Sequence, residues 1–474
     1  LDSPFQESAI IAAISPKKHL AMWDQLGFRE SPYNTNPLKA RAEDIDLLVG
    51  RSGEATEFFT SLEVSSQGIL VLSGSPGVGK TSFLNIQQFR LENDLAPFGP
   101  KLLAARDLCP VQPSDSLEAV ARRALSSLCK SVEKWCVLNR TEAPPQTKKI
   151  SKWVSGTVSG GIDVGISIAG FGGNFGRTVE LPSFGEASLE MIGEALTVVS
   201  QECNSKLGFS SCIVALDNLE NLEEDQLGRM LISFRDTLFS IERIWWILIG
   251  QSGLGSLIQS LDPRVFERTT GSGIEIKPIE LDEFDEAIAV RVSKFHSSGQ
   301  GKAPLTRKMH QNLFEASRGE MRFVFKYSNS ICAKFIEDMR SSVLGDPVLA
   351  KLQGKTQKES IHSAINAAIA RSMIASQISD VLAQKYLKQI VQTEINGLFL
   401  KPKERSVLQG IGKAGKARAS DFKSYSLRTM QDFSSNYLTK MYHQNLLLRE
   451  QEGRAVNYRL RGIAQLSYAY GLLD

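Results

Sequence analysis

Few short stretches leave a chain as little choice as GILVLSGSPGVGKTSFL, residues 68–84. An apolar run of strand type stops at a glycine-rich turn, and Lys80 and Thr81 then open a run of helix-forming residues. Gly74, Gly79, Lys80 and Thr81 fill the pattern G-x-x-x-x-G-K-[ST] in the strand–turn–helix setting that it requires. Glycines let the backbone of such a turn curl until its N–H groups converge on one point, and the following helix adds the positive end of its dipole. That point suits the oxygens of a phosphate chain. Ser75, Pro76, Gly77, Val78, Gly79, Lys80, Thr81 and Ser82 are therefore the candidate contacts. The Lys80 ammonium would reach the β- and γ-phosphates and the Thr81 hydroxyl would be offered to magnesium, so the expected ligands are ATP and Mg2+. A strand that leads through such a turn into a helix points to an α/β fold class.

Two further apolar runs end in polar residues, as strands of such a fold do. CIVALDNLEN, residues 212–221, closes on Asp217, and a carboxylate at a strand end is where a magnesium ion and a water are handled. RIWWILIGQSGL, residues 243–254, closes on Gln251 and Ser252; its two tryptophans read as core packing. No apolar run reaches the length of a membrane span, and the N-terminus lacks the order of a secretory signal, so we expect a soluble, cytoplasmic protein with no membrane association. The six cysteines show no CxxC spacing and read as reduced core thiols.

Beyond residue 279 the pattern turns helical, with apolar residues at three- and four-residue steps through DEFDEAIAVRVSKF, LTRKMHQNLFEASRG and EMRFVFKYSNSICAKFIEDM. Upstream, residues 154–181 alternate Ile162, Val164, Ile166 and Ile168 with small or acidic residues. This stretch predicts a β-hairpin insertion, for contact with a partner or as a loop without one. The end of the chain is basic: residues 401–474 hold 13 Lys and Arg against 6 Asp and Glu, although the whole chain is only +3. Such a tail could face nucleic acid or be a solvated surface.

Taken together, these motifs resemble the AAA+ P-loop ATPases of the origin-recognition initiator and STAND-like group. The resemblance implies a P-loop NTPase core with an AAA+-like parallel sheet, a helical lid and a C-terminal winged-helix domain. On that pattern residues 1–46 form an N-terminal helical segment and 47–278 the core, with the insertion at about 151–182. Residues 279–375 form the lid, 376–400 a helical connection and 401–474 the winged helix. LLVGRSGE places Gly50, Arg51 and Glu54 where the family carries a G-R-x-x-E box beside the adenine. Asp217 becomes the Walker B metal carboxylate, and Gln251 stands at the sensor 1 position. Arg268, with Arg264 as the alternative, becomes the finger that reaches a neighbouring subunit's γ-phosphate; GEMR presents Arg322 as sensor 2.

One departure stands out. The family's lytic acid follows the Walker B aspartate directly, but here that position is Asn218. Some STAND ATPases have the order Asp-x-Leu-acid, which makes Glu220 the base and Asn218 a residue that orients the water; the alternative is that Glu220 caps the next helix. In the winged helix, Lys413, Lys416, Arg418, Arg428, Lys440 and Arg454 are candidate DNA contacts, and the alternative use of such a module is docking to protein. The resemblance thus implies a slow ATPase switch that forms homo-oligomers and contacts DNA. The alternatives are a STAND-type signalling or antiviral defence ATPase acting on a protein effector, and a loader of a helicase or transposase client.

Overall fold

Apolar strands of this kind must be covered on both faces, and the sheet is built accordingly. The computed structural model describes residues 22–156, 183–351, 354–452 and 455–473. The described residues fall into two compact units: one holds those within Pro37–Ile279 and Arg449–Asn457, the other those within 22–36, Glu280–Leu448 and 458–473.

In chain order the first unit contains α1 (Ser52–Glu63), β1 (Gly68–Gly74), α2 (Lys80–Glu92), β2 (Leu102–Ala104), β3 (Cys109–Pro110), α3 (Leu117–Leu138) and α4 (Pro145–Val154). It continues with α5 (Leu189–Leu207), β4 (Ser211–Asp217), α6 (Glu224–Thr237), β5 (Ile244–Ile249), α7 (Leu254–Leu261), α8 (Pro263–Phe266) and β6 (Ile274–Ile276). The strands run in the order β2–β4–β5–β1–β6, with β3 added against the end of β4. All of these pairings are parallel, so every strand ends at the same edge of the sheet.

Side chains alternate between the two faces. Ile69, Val71, Val214, Leu216, Trp246 and Leu248 pack in one core with α3, α5 and α6. Leu70, Leu72, Ile213, Ala215, Trp245 and Ile247 pack in the other with α1 and α2. The adjacent tryptophans therefore point in opposite directions, each fully buried as core residues. Trp245 lies so close to β1 that a Cβ on Gly68 would meet its ring at 2.7 Å, so only glycine fits there. The six cysteines are buried free thiols.

The predicted insertion hairpin lies outside the described residues. The ends of that stretch are joined by packing of Trp153, at the end of α4, on Phe184, with ring centroids 5.0 Å apart.

The second unit opens with α9 (Leu281–Phe295), whose N-terminus is closed by a reciprocal box between Glu280 and Glu283. α10 (Arg307–Ser317) and α11 (Met321–Leu344) follow, separated by Arg318 and Gly319, both at positive φ, so the GEMR turn separates two helices and puts Arg322 in the first turn of the second. Tyr33 and His310, both buried, share a 2.8 Å hydrogen bond, and burial pushes the imidazole down to about 4.

After α12 (Gly354–Ser372), the last residues of the expected lid and the first of the expected helical connection form a hairpin of β7 (Met373–Ile374) and β8 (Gln377–Ile378). The cause is tertiary: the Gln377 amide donates to the carbonyls of Ala303 and Leu305, both at 2.9 Å. α13 (Asp380–Gly397) then supplies the helix. α14 (Pro402–Ala414) and a 3-10 turn, Ala419–Tyr425, come next. A composite helix follows whose middle, Phe433–Thr439, is in π geometry. β9 (Leu447–Glu452) and β10 (Ala455–Leu460), of which Leu447, Leu448 and Tyr458 to Leu460 fall in this unit, pair as a ribbon that leads into α15 (Gly462–Ala469). Ala417 bridges Tyr458 of β10, which ties the segment after α14 to the small sheet.

Candidate functional site

The site forms where β1, β4 and β5 end. Gly74 cannot carry a side chain, because a Cβ there would sit 2.4 Å from the Ile276 carbonyl oxygen of β6. Gly77 and Gly79 take φ of 77° and 108°, which turn the chain so that Lys80 begins α2. The Lys80 ammonium donates to the carbonyls of Gly74 at 2.7 Å and Ser75 at 3.2 Å, so it lies across the mouth of the loop. Thr81 is in the first turn of the helix. Ser82 faces elsewhere: its hydroxyl accepts from the Leu38 N–H at 3.0 Å, and Asn85 donates to the Leu38 carbonyl at 2.8 Å, which fastens the preceding segment to α2.

Arg51 has a more direct tie to the loop than its place in the sequence suggests. Its buried guanidinium donates to the Val78 carbonyl at 3.1 Å and to Glu54 at 2.7 Å. Gly50, at φ 71°, makes the turn into that arginine. The GR-x-x-E box is thus a brace on the phosphate loop. A cavity of about 550 Å³ opens beside it at the β6 edge, lined among others by Glu54, Glu57, Ser73, Ser272 and Lys277. Glu57, Ser73 and Lys277 carried no motif and were not foreseen.

Asp217 ends β4, and its Oδ1 accepts from the N–H of Asn218 at 2.8 Å. Asn218 is left-handed, with φ 62° and ψ 36°, and a 3-10 turn of Leu219–Asn221 follows. The next helix is capped by Glu223 in a reciprocal box with Gln226, so Glu220 is not the cap of α6. The Glu220 Oε2 is instead buried without a hydrogen-bond partner. Burial raises the carboxyl above its ordinary value; its own backbone N–H and Lys80 pull it down and Asp217 pushes it up. One oxygen of this carboxylate is thus buried and unbonded within electrostatic reach of the loop lysine. Gln251 lies just past β5, where the Gly250 N–H donates to the Leu72 carbonyl of β1 at 3.2 Å.

Arg264 and Arg268 share an exposed corner formed by α8 and the end of α6. Asp262 caps α8 and accepts from Arg235 at 2.9 Å, and Arg268 donates to the Arg235 carbonyl at 2.7 Å. Arg322 is exposed on α11 of the second unit. Of the basic residues expected on a winged helix, Lys413, Lys416, Arg418, Arg428 and Lys440 are exposed. The Lys440 ammonium is held in a 2.5 Å ion pair with the buried Glu404; Arg454 lies outside the described residues.

Among the described residues no cluster of three His, Cys, Asp or Glu could hold a metal by itself. The donors fit magnesium carried in with a nucleotide, since that ion uses one or two protein oxygens plus phosphates, and Thr81 and Asp217 are such oxygens. Among the described residues no helix is long and apolar enough to cross a membrane.

The parallel sheet, the Gly74–Thr81 loop and the strand-end aspartate define an α/β P-loop NTPase fold. No protein-family model and no curated protein matches this chain. Among solved structures it is similar to the Aeropyrum pernix ORC2 protein in ADPNP–ADP complexes, with 12% identity and a TM-score of 0.42, covering 94% of this chain and 98% of that one. It is also similar to Cdc6p from Pyrobaculum aerophilum, with 14% identity, a TM-score of 0.36 and coverage of 93% and 97%. A third likeness is to a Thermotoga maritima RuvB mutant, with 12% identity, a TM-score of 0.37 and coverage of 90% and 95%.

Proposed function

We propose that this chain is an AAA+-type switch that binds ATP at the Gly74–Thr81 loop and hydrolyses it slowly with Glu220 as base. The observation that carries the reading is the partnerless buried oxygen of Glu220 beside Lys80. The loop N–H groups hold the phosphate chain, and Lys80 exchanges the Gly74 and Ser75 carbonyls for β- and γ-phosphate oxygens. Glu220 takes the proton of a water as its oxygen attacks the γ-phosphorus; the bond to the β–γ bridging oxygen breaks, and ADP and phosphate leave. Magnesium bound through Thr81 and Asp217 would supply charge neutralisation at the phosphates. Gln251, Arg322 and one of Arg264 or Arg268 take their sensing and trans-acting roles from the AAA+ resemblance, as does assembly into homo-oligomers. Exposed Lys413, Lys416, Arg418 and Arg428 support contact between the winged helix and DNA phosphates.

The order Asp217–Asn218–Leu219–Glu220 favours one second reading, a STAND-type ATPase that engages a protein effector. Calorimetry with Mg-ATP and a phosphate-release assay test the core of the proposal. Glu220→Gln should keep ATP binding and lose turnover, whereas undiminished hydrolysis in that variant would remove Glu220 from the mechanism.

A further inference from the structure

A strand continued in extended form beyond Asp217 would carry residue 220 about 10 Å away, since each residue advances about 3.3 Å. Two hydrogen bonds and one backbone conformation prevent this. The Asp217 carboxylate accepts the Asn218 N–H, the left-handed backbone of Asn218 reverses the chain, and the Asn221 N–H closes the turn on the Asn218 carbonyl at 3.0 Å. Leu219, 1% exposed, plugs the turn into the core that also holds Val214 and Leu216. The far end is clamped: the Asn221 amide donates to the Val111 carbonyl at 3.3 Å, while the Val111 N–H donates to the Asp217 carbonyl at 2.9 Å. The segment after β3 therefore holds both ends of the turn. Glu220 is the one side chain of this turn with a buried polar oxygen left unbonded among the described residues.

We propose that Asn218 and Asn221 are positioning residues for Glu220, acting through the shape of this turn, which delivers the base from three residues beyond the metal carboxylate. The inference rests on the reading of Glu220 given above. Asparagine suits position 218 because it enters the left-handed region at little cost, whereas a β-branched residue there is strained. The Asn218 carboxamide itself makes no hydrogen bond among the described residues, so the backbone conformation is the property that the position supplies.

The test is steady-state hydrolysis of Mg-ATP, with calorimetric ATP affinity and thermal melting, for wild type, Asn218→Gly, Asn218→Ala, Asn218→Val, Asn221→Ala and Glu220→Gln. Glycine adopts the turn freely, so Asn218→Gly loses less kcat than Asn218→Ala or Asn218→Val. Asn218→Val loses about 100-fold in kcat, the scale of a misplacement of about 1 Å, with ATP affinity unchanged. Asn218→Ala and Asn221→Ala fall between, and they carry the test if the valine variant does not fold. The inference is overturned if Asn218→Gly is as inactive as Asn218→Val, or if Asn218→Ala and Asn221→Ala hydrolyse at the wild-type rate while Glu220→Gln is dead. Absence of turnover in the wild type, or full turnover in Glu220→Gln, sinks the base assignment first and this inference with it.

Discussion

Glu220 shows how one residue can set function against stability. Its carboxyl is raised by burial, so the folded protein holds that proton more tightly than the unfolded chain does. The corresponding stabilisation is fully present below the unfolded carboxylate pKa and is lost as pH rises through the folded one. Glu220→Gln should therefore be more stable than wild type at neutral pH, by about 1 kcal/mol, the scale of a buried polar group without a partner, and the difference should vanish in acid. Urea titrations at several pH values check this. Arg51 gives the opposite case. Arg51→Ala removes two hydrogen bonds and strands Glu54, so it should cost about 2 kcal/mol and weaken ATP binding through a loosened Val78, read by melting and calorimetry. His310 gives a third pH signature. Buried as neutral imidazole with its value held near 4, it supports the helical unit above its ordinary 6.5 and loses that contribution as pH falls from there toward 4. His310→Gln should flatten that limb of an acid-unfolding curve.

At the level of elements, the β7–β8 hairpin carries an avoidable strain. Ala375 and Ser376 both sit at positive φ, 50° and 66°, in a two-residue turn that favours Asn-Gly. Replacing the pair by Asn-Gly should raise stability by about 1 kcal/mol, measured as a higher melting temperature with unchanged ATPase rate. This hairpin also marks where the sequence stops being informative. β1, β4 and β5 could be recognised because each is a long apolar run with its polar end next to it in the chain. β2 and β3 are too short to show a period and exist through pairing with β4. The hairpin depends on Gln377 reaching Ala303 and Leu305, more than 70 residues away. The site divides in the same way. Gly74, Gly79, Lys80 and Asp217 are local motif residues, but the Arg51 brace and the clamp on Asn221 arise from contacts between distant segments. Asn218 left one usable signal: asparagine after a buried strand is among the residues that tolerate φ above zero.

For the molecule as a whole, charge is the property to test. The last 74 residues carry the basic excess, and exposed cations there can release counterions from DNA. Reversing Lys413 and Arg428 to Glu should flatten the dependence of duplex affinity on salt by about one unit of slope for each phosphate no longer neutralised, and leave the melting temperature alone. Lys440→Ala should do the reverse, lowering the melting temperature because it leaves Glu404 buried without its cation. An affinity that ignores salt would favour a protein partner instead. The lysine bent back over its own loop has a last implication. If the loop binds ATP as proposed, an incoming anion must displace the Gly74 and Ser75 carbonyls from the ammonium. Lys80 would then act as a ruler, favouring a triphosphate over inorganic phosphate by reach rather than by charge.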